Sequence, residues 1–349
     1  KSLSMKKYLL IILLLTFTSV SAAEIIILPT KETDPVYSSG DAADDPAIWI
    51  NEDNPINSLI FGTDKRSGMH VYALDGSELG FSALGATNNV DVRVLNKILY
   101  IATSNRTSSV IDLWAIPELE AYKYFSTTDD PFNSFSKHAS IDAGMNVYGI
   151  CLGVYKNNLV ALLTEEEGIR NQFWDLTNQM LINTINIIAD ESNPPENGNE
   201  AEGCVFDDDN ETFFVSREGN DGILKAFNTA DQSFIKVIDN RAGNIIGDPE
   251  GVAIYKSNVS EGFIIVSSQG DSTFNVYDRQ YPYDFQFKFS VTDVADTDGL
   301  DIVNFSIGEL YPDGIMVVQD GFNAPYNQNF KIVNVSEIKK KILTLGLID

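Results

Sequence analysis

Two residue types that often carry catalysis are scarce in this sequence, since two cysteines and two histidines occur among 349 residues. Neither cysteine begins a C-x5-R loop and no RHGxRxP segment occurs, which excludes the nucleophilic catalysis that depends on those motifs. A metal site built from several histidines is also excluded, because His70 falls on an apolar predicted strand and His138 in a predicted loop.

Positive charge is scarce as well, with 24 lysines and arginines against 50 aspartates and glutamates and a formal net charge of −26. A chain this acidic is a poor partner for nucleic acid or for anionic membranes. The excess acid has two interpretations: it keeps the protein soluble, or part of it binds hard cations, which prefer oxygen ligands. The placement of the acids has to decide between them.

Long apolar runs are confined to the N-terminus. Residues 5–23 read MKKYLLIILLLTFTSVSAA, in which two lysines, an apolar run and small residues follow one another. This order predicts a secretory signal peptide cleaved after Ala22 or Ala23, with residues 1–4 preceding a plausible start at Met5. Residues 1–23 are therefore assigned to the signal peptide, and residues 24–349 are expected to form a secreted or periplasmic monomer.

A three-part phrase recurs along the rest of the chain and is clearest at Glu250–Asp278. Each phrase holds three short runs rich in Val, Ile, Phe and Tyr, bounded by Gly, Asp and Ser, which is typical of consecutive antiparallel strands. The last two intervals between phrases are both 48 residues. The first strands of the six phrases begin at Asp45, Asn89, Tyr148, Glu202, Glu250 and Asp298.

A repeat of this length with several strands per unit predicts an all-β fold, a six-bladed β-propeller forming a single closed domain. A β-sandwich or a pair of all-β domains would also have short strands, but neither explains six copies of one phrase. The extended segment Glu24–Leu28 is expected to add a strand to the last blade, which would close the ring and cover an edge.

Acidic residues stand at equivalent places in four of the six phrases, namely Asp45, Glu202, Glu250 and Asp298. First strands line the channel of a propeller, so these side chains are expected to converge near its axis. Like charges at close range raise one another's pKa or bind cations, and ligands that are all oxygen favour calcium over zinc. The alternative is that acids and glycines only mark strand entry. Further acids expected near this cluster are Asp44, Asp248, Asp296 and Asp301.

Basic residues occur at similar strand exits, Lys65 in GTDKRSG and Arg106 in TSNRT. Beside bound cations they would attract an anionic ligand with several charged groups, and arginine suits bidentate contact with phosphate.

Cys151 and Cys204 lie on first strands of adjacent phrases, three and two residues after equivalent positions. Because side chains alternate along a strand, the two are expected to point to opposite faces and to be buried thiols, not a disulfide.

Two longer segments carry a family resemblance: DAADDPAIW at Asp41–Trp49 and NNVDVR at Asn88–Arg93. Shorter segments follow in the same order, among them YGICL, EAEGC, EGVAIY, DTDGLD and NQNFK. The chain resembles the β-propeller phytases, the alkaline calcium-dependent phytase family, over essentially all of its predicted mature length. The resemblance implies Ca²⁺-dependent hydrolysis of phytate, myo-inositol hexakisphosphate, to lower inositol phosphates and inorganic phosphate.

The resemblance also implies roles for particular residues. The catalytic set would be Lys65, Arg106, Tyr148, Glu202 and Glu218. Several Ca²⁺ ions would be held by Glu32, Asp44, Glu202, Glu218, Asp248, Glu250 and Asp296 or Asp298, with Asp45 on a structural ion. Phosphate would be bound by Lys65, Arg106, Tyr148 and Gln269.

The implied mechanism is attack by a metal-activated water on phosphorus, with no protein nucleophile. Two residues depart from the family pattern: Glu166 falls near the position of a family lysine that contacts phosphate, and Arg217 precedes Glu218 where an acid is usual.

The alternative function is a non-catalytic, calcium-stabilised propeller that binds an extracellular ligand. Another metal hydrolase, such as a propeller lactonase, would share the fold and the calcium without needing the basic residues.

Overall fold

The computed structural model describes residues 24–187, 200–219, 222–344 and 346. The predicted signal peptide lies outside this part of the chain. Within it, the strands form six sheets, which we number as blades 1–6 in chain order. Each blade is an antiparallel meander whose sheet order follows the chain, apart from short N-terminal strands added to blades 5 and 6. The predicted six-bladed β-propeller is therefore confirmed.

Short apolar runs with alternating or continuous burial form the strands, as the β-branched and aromatic composition predicts. The N-terminal strands are β1 (Ile26–Ile27) and β2 (Lys31–Glu32). Blades 1–3 contain β3 (Ala43–Trp49), β4 (Leu59–Asp64), β5 (Gly68–Ala73), β6 (Glu78–Ala83), β7 (Thr87–Leu95), β8 (Ile98–Asn105), β9 (Val110–Pro117), β10 (Ala139–Asp142), β11 (Val147–Tyr155), β12 (Asn158–Glu165), β13 (Arg170–Asp175) and β14 (Met180–Asn186).

Blades 4–6 repeat the same meander. Their strands are β15 (Ala201–Asp207), β16 (Thr212–Arg217), β17 (Ile223–Asn228), β18 (Phe234–Asp239), β19 (Val252–Lys256), β20 (Gly262–Ser268), β21 (Thr273–Asp278), β22 (Phe285–Val291), β23 (Leu300–Val303), β24 (Ile315–Asp320) and β25 (Asn329–Asn334). The six predicted first strands are the innermost strands β3, β7, β11, β15, β19 and β23.

Helices are few and peripheral. Helices α1 (Glu118–Phe125) and α2 (Pro131–Ser134) lie between β9 and β10, and α3 (Val335–Thr344) follows β25. Two short 3-10 turns occupy Pro55–Asn57 and Gln269–Asp271. No helix in the described part of the chain has the length and apolar character to cross a membrane.

The ring is closed from the N-terminus, though not by the segment that the sequence predicted. Lys31–Glu32 pairs antiparallel with β25 and supplies the fourth strand of blade 6. Within Glu24–Leu28, Ile26–Ile27 instead pairs in parallel with β22 of blade 5. The reason is burial: Ile25 and Ile27 join the apolar cluster between blades 5 and 6, whereas the more polar Lys31–Glu32 suits an outer edge.

Among the described residues, the hydrophobic core is divided into six clusters, each lying mainly between two neighbouring blades. Phe61, Trp114 and Phe125, for example, pack between blades 1 and 2, and Phe173 meets Phe206 between blades 3 and 4. Burial of apolar surface contributes roughly 25 cal/mol per Å². Because every blade buries both faces against its neighbours, the inner strands are fixed around a common axis.

A disulfide joins Cys151 on β11 to Cys204 on β15, with their Cα atoms 5.7 Å apart. The prediction of two free thiols is therefore wrong. The two side chains do point to opposite faces of their own sheets, as strand alternation requires. Neighbouring blades pack face to face, however, so opposite faces of consecutive blades are the ones that meet.

Candidate active site at one end of the channel

The inner strands of blades 1–4 carry the same irregularity at their start, and this irregularity places the site. The pairing register shifts between Ala43 and Pro46, between Thr87 and Val90, and at the same place in blades 3 and 4. Counting from this shift makes one residue equivalent in blades 1–4, and in blades 5 and 6 the equivalent residue is the acid that directly precedes a glycine, as Glu202 does in blade 4. We call these six residues the channel ring: Asp44, Asn88, Tyr148, Glu202, Glu250 and Asp298.

The prediction for blade 1 was wrong by one residue, because Asp44 and not Asp45 belongs to the channel ring. Asp45 is equivalent to Gly203 and Gly299, the positions that follow the ring. Its Oδ2 accepts a hydrogen bond from the Val90 N–H at 3.2 Å, deeper in the channel. There it lines a small cavity of about 50 Å³ together with Asp301 and Arg93. Asp301, also expected in the acid cluster, lies in this deeper layer.

Backbone contacts hold the channel ring tightly. The Gly299 N–H donates to the Asp44 carbonyl at 3.0 Å, and the Gly251 N–H donates to the Asp298 carbonyl at 3.2 Å. A Cβ atom at Gly203 would lie 1.8 Å from the Glu250 carbonyl oxygen, so only glycine allows this approach. The inner strands therefore touch one another at the ring itself, and its side chains project from a rigid base.

Three glutamates form the centre of the site. One carboxylate oxygen from each of Glu202, Glu218 and Glu250 lies within 4.8 Å of the others. Glu202 and Glu250 are buried, and Oε1 of Glu218 and Oε2 of Glu250 have no hydrogen-bond partner. Buried acceptors without donors are costly unless a cation or proton satisfies them. This donor set, with oxygen ligands alone, fits a hard metal ion.

The ionisation of these groups reflects their crowding. Burial, followed by the charge of Glu200, raises the pKa of Glu218 to about 8. Burial also raises the pKa of Asp298 to about 7, although Lys65 acts in the opposite direction. The pKa values of Glu202 and Glu250 are raised well above the ordinary range by burial and by neighbouring carboxylates. Without a cation the cluster therefore holds protons near neutral pH.

Lys65 lies at the edge of the acid cluster, on the turn after β4. Its Nζ is 3.0 Å from Oδ1 of both Asp41 and Asp44, and 3.6 Å from Oδ2 of Asp298. Burial lowers the pKa of this lysine, but the surrounding carboxylates raise it further, and the net shift is upward. The ammonium group is therefore charged and faces the same pocket as the channel ring.

Arg106 forms the second cationic point of the site. Its Nη1 donates to Oδ1 of Asn88 at 3.0 Å, and its Nη2 forms an ion pair with Glu166. The guanidinium also lies over the ring of Tyr148, 5.5 Å from the ring centre, which is cation–π geometry. The side chain of Arg106 is 29% exposed, so an anion entering from solvent can reach it.

Asn88 connects the acidic and basic sides of the ring. Its Nδ2 donates to Oε1 of Glu202 at 2.7 Å and to Oδ2 of Asp44 at 3.3 Å, while its Oδ1 accepts from Arg106. Asn88 is the first residue of NNVDVR but was not predicted as a site residue, because the prediction relied on acidic side chains and asparagine is uncharged. Its register after the strand irregularity was the signal that could have found it.

The pocket above the ring has a volume of about 620 Å³. Its lining includes predicted residues on the inner ends of several blades: Lys65, Tyr148, Glu202, Glu218, Asp248, Glu250, Gln269, Asp296 and Asp298. One wall, residues 321–328, was not predicted and carries the exposed aromatic side chains of Phe322 and Tyr326. The signal for this wall in the sequence was the NQNFK segment, whose first two residues, Asn327 and Gln328, belong to the wall.

The outer predicted residues take different partners. The Gln269 side chain donates to Oδ1 of Asp298 at 2.7 Å, and Oδ1 of Asp248 accepts the Gly219 N–H at 3.1 Å and pairs with Arg241. Glu32 lies on β2, where Asn329 donates to its Oε2 at 3.1 Å.

Two further residues singled out in the sequence do not line the described pocket. Glu32 also pairs with Lys331 and does not line the described pocket. Arg217 is buried at the end of β16, directly before Glu218. Its side chain is thus part of the blade, and the acid that follows it reaches the central cluster.

Comparisons with known proteins agree with this geometry. A family model described as Phytase matches residues 1–346. The 3-phytase of Bacillus subtilis (strain 168) is 34% identical over 360 aligned residues, covering 95% of this chain and 91% of that protein. Among solved structures, the computationally designed Ika8 protein matches with a TM-score of 0.43 and 12% identity over 82% of this chain and 70% of that one.

Proposed function

Because the chain belongs to the phytase family of phosphoric monoester hydrolases, we propose that it releases phosphate from phytate in a Ca²⁺-dependent reaction at the channel ring. The observation that carries the proposal is one pocket in which three glutamate oxygens lie within 4.8 Å of one another, with Lys65 and Tyr148 on its lining. Phytate is a polyanion, so a pocket this acidic needs cations before it can attract the substrate.

The residues that would hold calcium are Glu202, Glu218 and Glu250, with Asp44 and Asp298 beside them on the ring. Calcium fits better than zinc because the donors are carboxylates, without histidine or a free thiol among them. When bound, Ca²⁺ lowers the pKa of coordinated water and offsets phosphate charge. The orphaned oxygen of Glu250 is a natural ligand atom for it.

The side chains of the protein have binding and orienting roles in this proposal. Lys65 presents its ammonium group to the pocket, where it would contact a phosphate oxygen beside the acid cluster. Arg106 presents a guanidinium held at one edge by Asn88 and supported from below by Tyr148, and this geometry suits bidentate phosphate contact. Lys65 lines the pocket and Arg106 lies beside it over Tyr148, so the two cationic groups suit a substrate with several phosphates, one cleaved and another bound without being cleaved.

The test is phosphate release from phytate and from p-nitrophenyl phosphate, each measured in EGTA and after Ca²⁺ is added back. We expect no release from phytate in EGTA, recovery with Ca²⁺, and a strong preference for phytate over the monophosphate. Absence of release from phytate under every metal condition would overturn the proposal in favour of a non-catalytic, calcium-stabilised propeller. Equal activity in EGTA would overturn the metal requirement alone.

We further propose that the protein works outside the cytoplasm. The disulfide between Cys151 and Cys204 supports this proposal, because disulfides persist in oxidising compartments. The signal-like residues 5–23 support it independently. Cell fractionation of the expressed full chain provides the test: activity retained in the cytoplasmic fraction, with an uncleaved N-terminus, would contradict export.

A further inference from the structure

Glu166 forms an ion pair with Arg106, the arginine that is proposed to bind substrate phosphate. Its carboxylate pairs with Nη2 of Arg106, while Asn88 accepts from Nη1 at 3.0 Å. Since one face of the guanidinium lies over Tyr148, both terminal nitrogens and one face already have neighbours. An incoming phosphate that takes Arg106 in a bidentate way must therefore replace a carboxylate that belongs to the protein.

The contact is specific to one of three consecutive glutamates. Glu165 accepts from Nε of Arg170 at 2.8 Å within its own hairpin, and Glu167 is exposed on the turn. Glu166 alone turns to Arg106, and its backbone N–H donates to the Asn146 carbonyl at 3.0 Å. Its side chain is 25% exposed, so it can leave Arg106 and become hydrated without unfolding the blade.

The surroundings of this carboxylate favour its release when another anion arrives. Burial raises the pKa of Glu200, and the charges of Glu167 and Glu166 raise it further, which places Glu166 among like charges. Arg106 is the cation shown to pair with it in the described part of the chain. A phosphate group carries more negative charge than a carboxylate and, like a carboxylate, can accept two parallel hydrogen bonds from the guanidinium.

We propose that Glu166 is an internal competitor for Arg106, which lowers the affinity for substrate phosphate and speeds the release of product phosphate. This inference rests on the proposed function and names a residue that tunes the same site. A partly exposed ion pair of this kind is worth on the order of 1 kcal/mol, which corresponds to about a fivefold change in an equilibrium constant. Removal of the charge should strengthen phosphate binding by about that factor.

The experiment compares Glu166→Gln with Glu167→Gln, which removes the same charge from the neighbouring exposed residue. In Glu166→Gln we expect KM for phytate and the inhibition constant of inorganic phosphate to fall about fivefold, with kcat unchanged or lower because product leaves more slowly. In Glu167→Gln both constants should change less than twofold. This control separates direct competition from the general effect of a less negative surface.

A second comparison ties the effect to its partner. In an Arg106→Ala background, Glu166→Gln should no longer change the binding of inorganic phosphate, measured by calorimetry in the presence of Ca²⁺. An equal gain in both backgrounds would overturn the inference, and so would a rise in KM on Glu166→Gln, which would make Glu166 a positioning residue for Arg106. Absence of phosphate release by the unmodified protein would instead refute the proposed function, a result that this binding measurement does not depend on.

Discussion

At the scale of single residues, the site depends on the uncharged amide of Asn88, which connects acidic and basic side chains by hydrogen bonds. Asn88 is fully buried, yet its side chain donates to two ring carboxylates and accepts from a guanidinium. A carboxylate at this position would add charge to a cluster that already holds protons, and an apolar residue would leave Arg106 without one of its anchors. The amide therefore lets acids and a base share one ring.

Arg106→Ala is expected to reduce turnover of phytate by about a hundredfold while leaving the fold intact, because loss of one well-placed charged donor removes stabilisation of the reacting phosphate. The side chain is 29% exposed and belongs to no apolar cluster, so its removal should leave the melting temperature within a few degrees. The measurement is kcat and KM with phytate at saturating Ca²⁺, beside thermal unfolding.

The matched control is Arg170→Ala, which removes an exposed arginine whose described partner is Glu165. That variant should keep normal turnover. Lysine at position 106 should recover only part of the activity, since it lacks the second donor edge of the guanidinium. Normal phosphate release by Arg106→Ala would contradict its assigned role.

The sequence predicted the site residues correctly where the same type of side chain recurs in each repeat. It failed where the exact strand register decides which of two adjacent residues faces the site. Glu202, Glu250 and Asp298 were correctly brought to one pole, since each precedes a glycine at the same point of a repeat. In DDPAIW two adjacent aspartates stand at this point, and the one chosen was the deeper Asp45. A one-residue step along a strand moves a side chain to another layer, and composition alone does not reveal it.

At the scale of strands, the disulfide shows that side-chain alternation within one sheet does not reveal which faces of neighbouring blades meet. Alternation correctly assigned Cys151 and Cys204 to opposite faces, but the prediction stopped at the single blade. In a ring of blades each face meets the opposite face of the next blade, so the same alternation predicts contact. The bond therefore fastens the inner strands that carry Tyr148 and Glu202.

Replacing both cysteines by alanine should lower the free energy of unfolding by about 4 kcal/mol, since the bridge closes a loop with a sequence separation of 53 residues. The measurement is urea unfolding of the double variant beside the oxidised wild type. As a control, the wild type unfolded in a reducing agent should match the double variant. Equal stability of the oxidised wild type and the variant would contradict this cross-link.

At the scale of the whole molecule, the repeat alone predicted the ring, because six similar phrases leave few ways to bury their apolar faces. What the repeat could not predict is how the two ends of the chain meet. Lys31–Glu32 completes blade 6, and Ile26–Ile27 is drawn to blade 5 by a groove that only the assembled blades create. Long-range choices of this kind depend on packing between segments distant in sequence.

The acid cluster makes the stability of the whole ring depend on pH and on metal. Folding raises the pKa of Glu218 to about 8 and that of Asp298 to about 7, mainly by burial. In the unfolded chain such groups titrate near pH 4. Between about pH 4 and pH 8 the folded, metal-free protein therefore holds more protons than the unfolded chain, and its stability falls as the pH rises through this range.

Thermal unfolding at about pH 5, 6, 7 and 8 in EGTA should accordingly give a melting temperature that decreases at each step. The same series in millimolar Ca²⁺ should show a smaller decrease or a rise, because a cation binds the deprotonated carboxylates and stabilises the folded state most where they are ionised. The variant Glu218→Gln, which stays neutral, should weaken the dependence on pH in EGTA. A melting temperature that rises with pH in EGTA would show that these carboxylates are not held together in the folded protein.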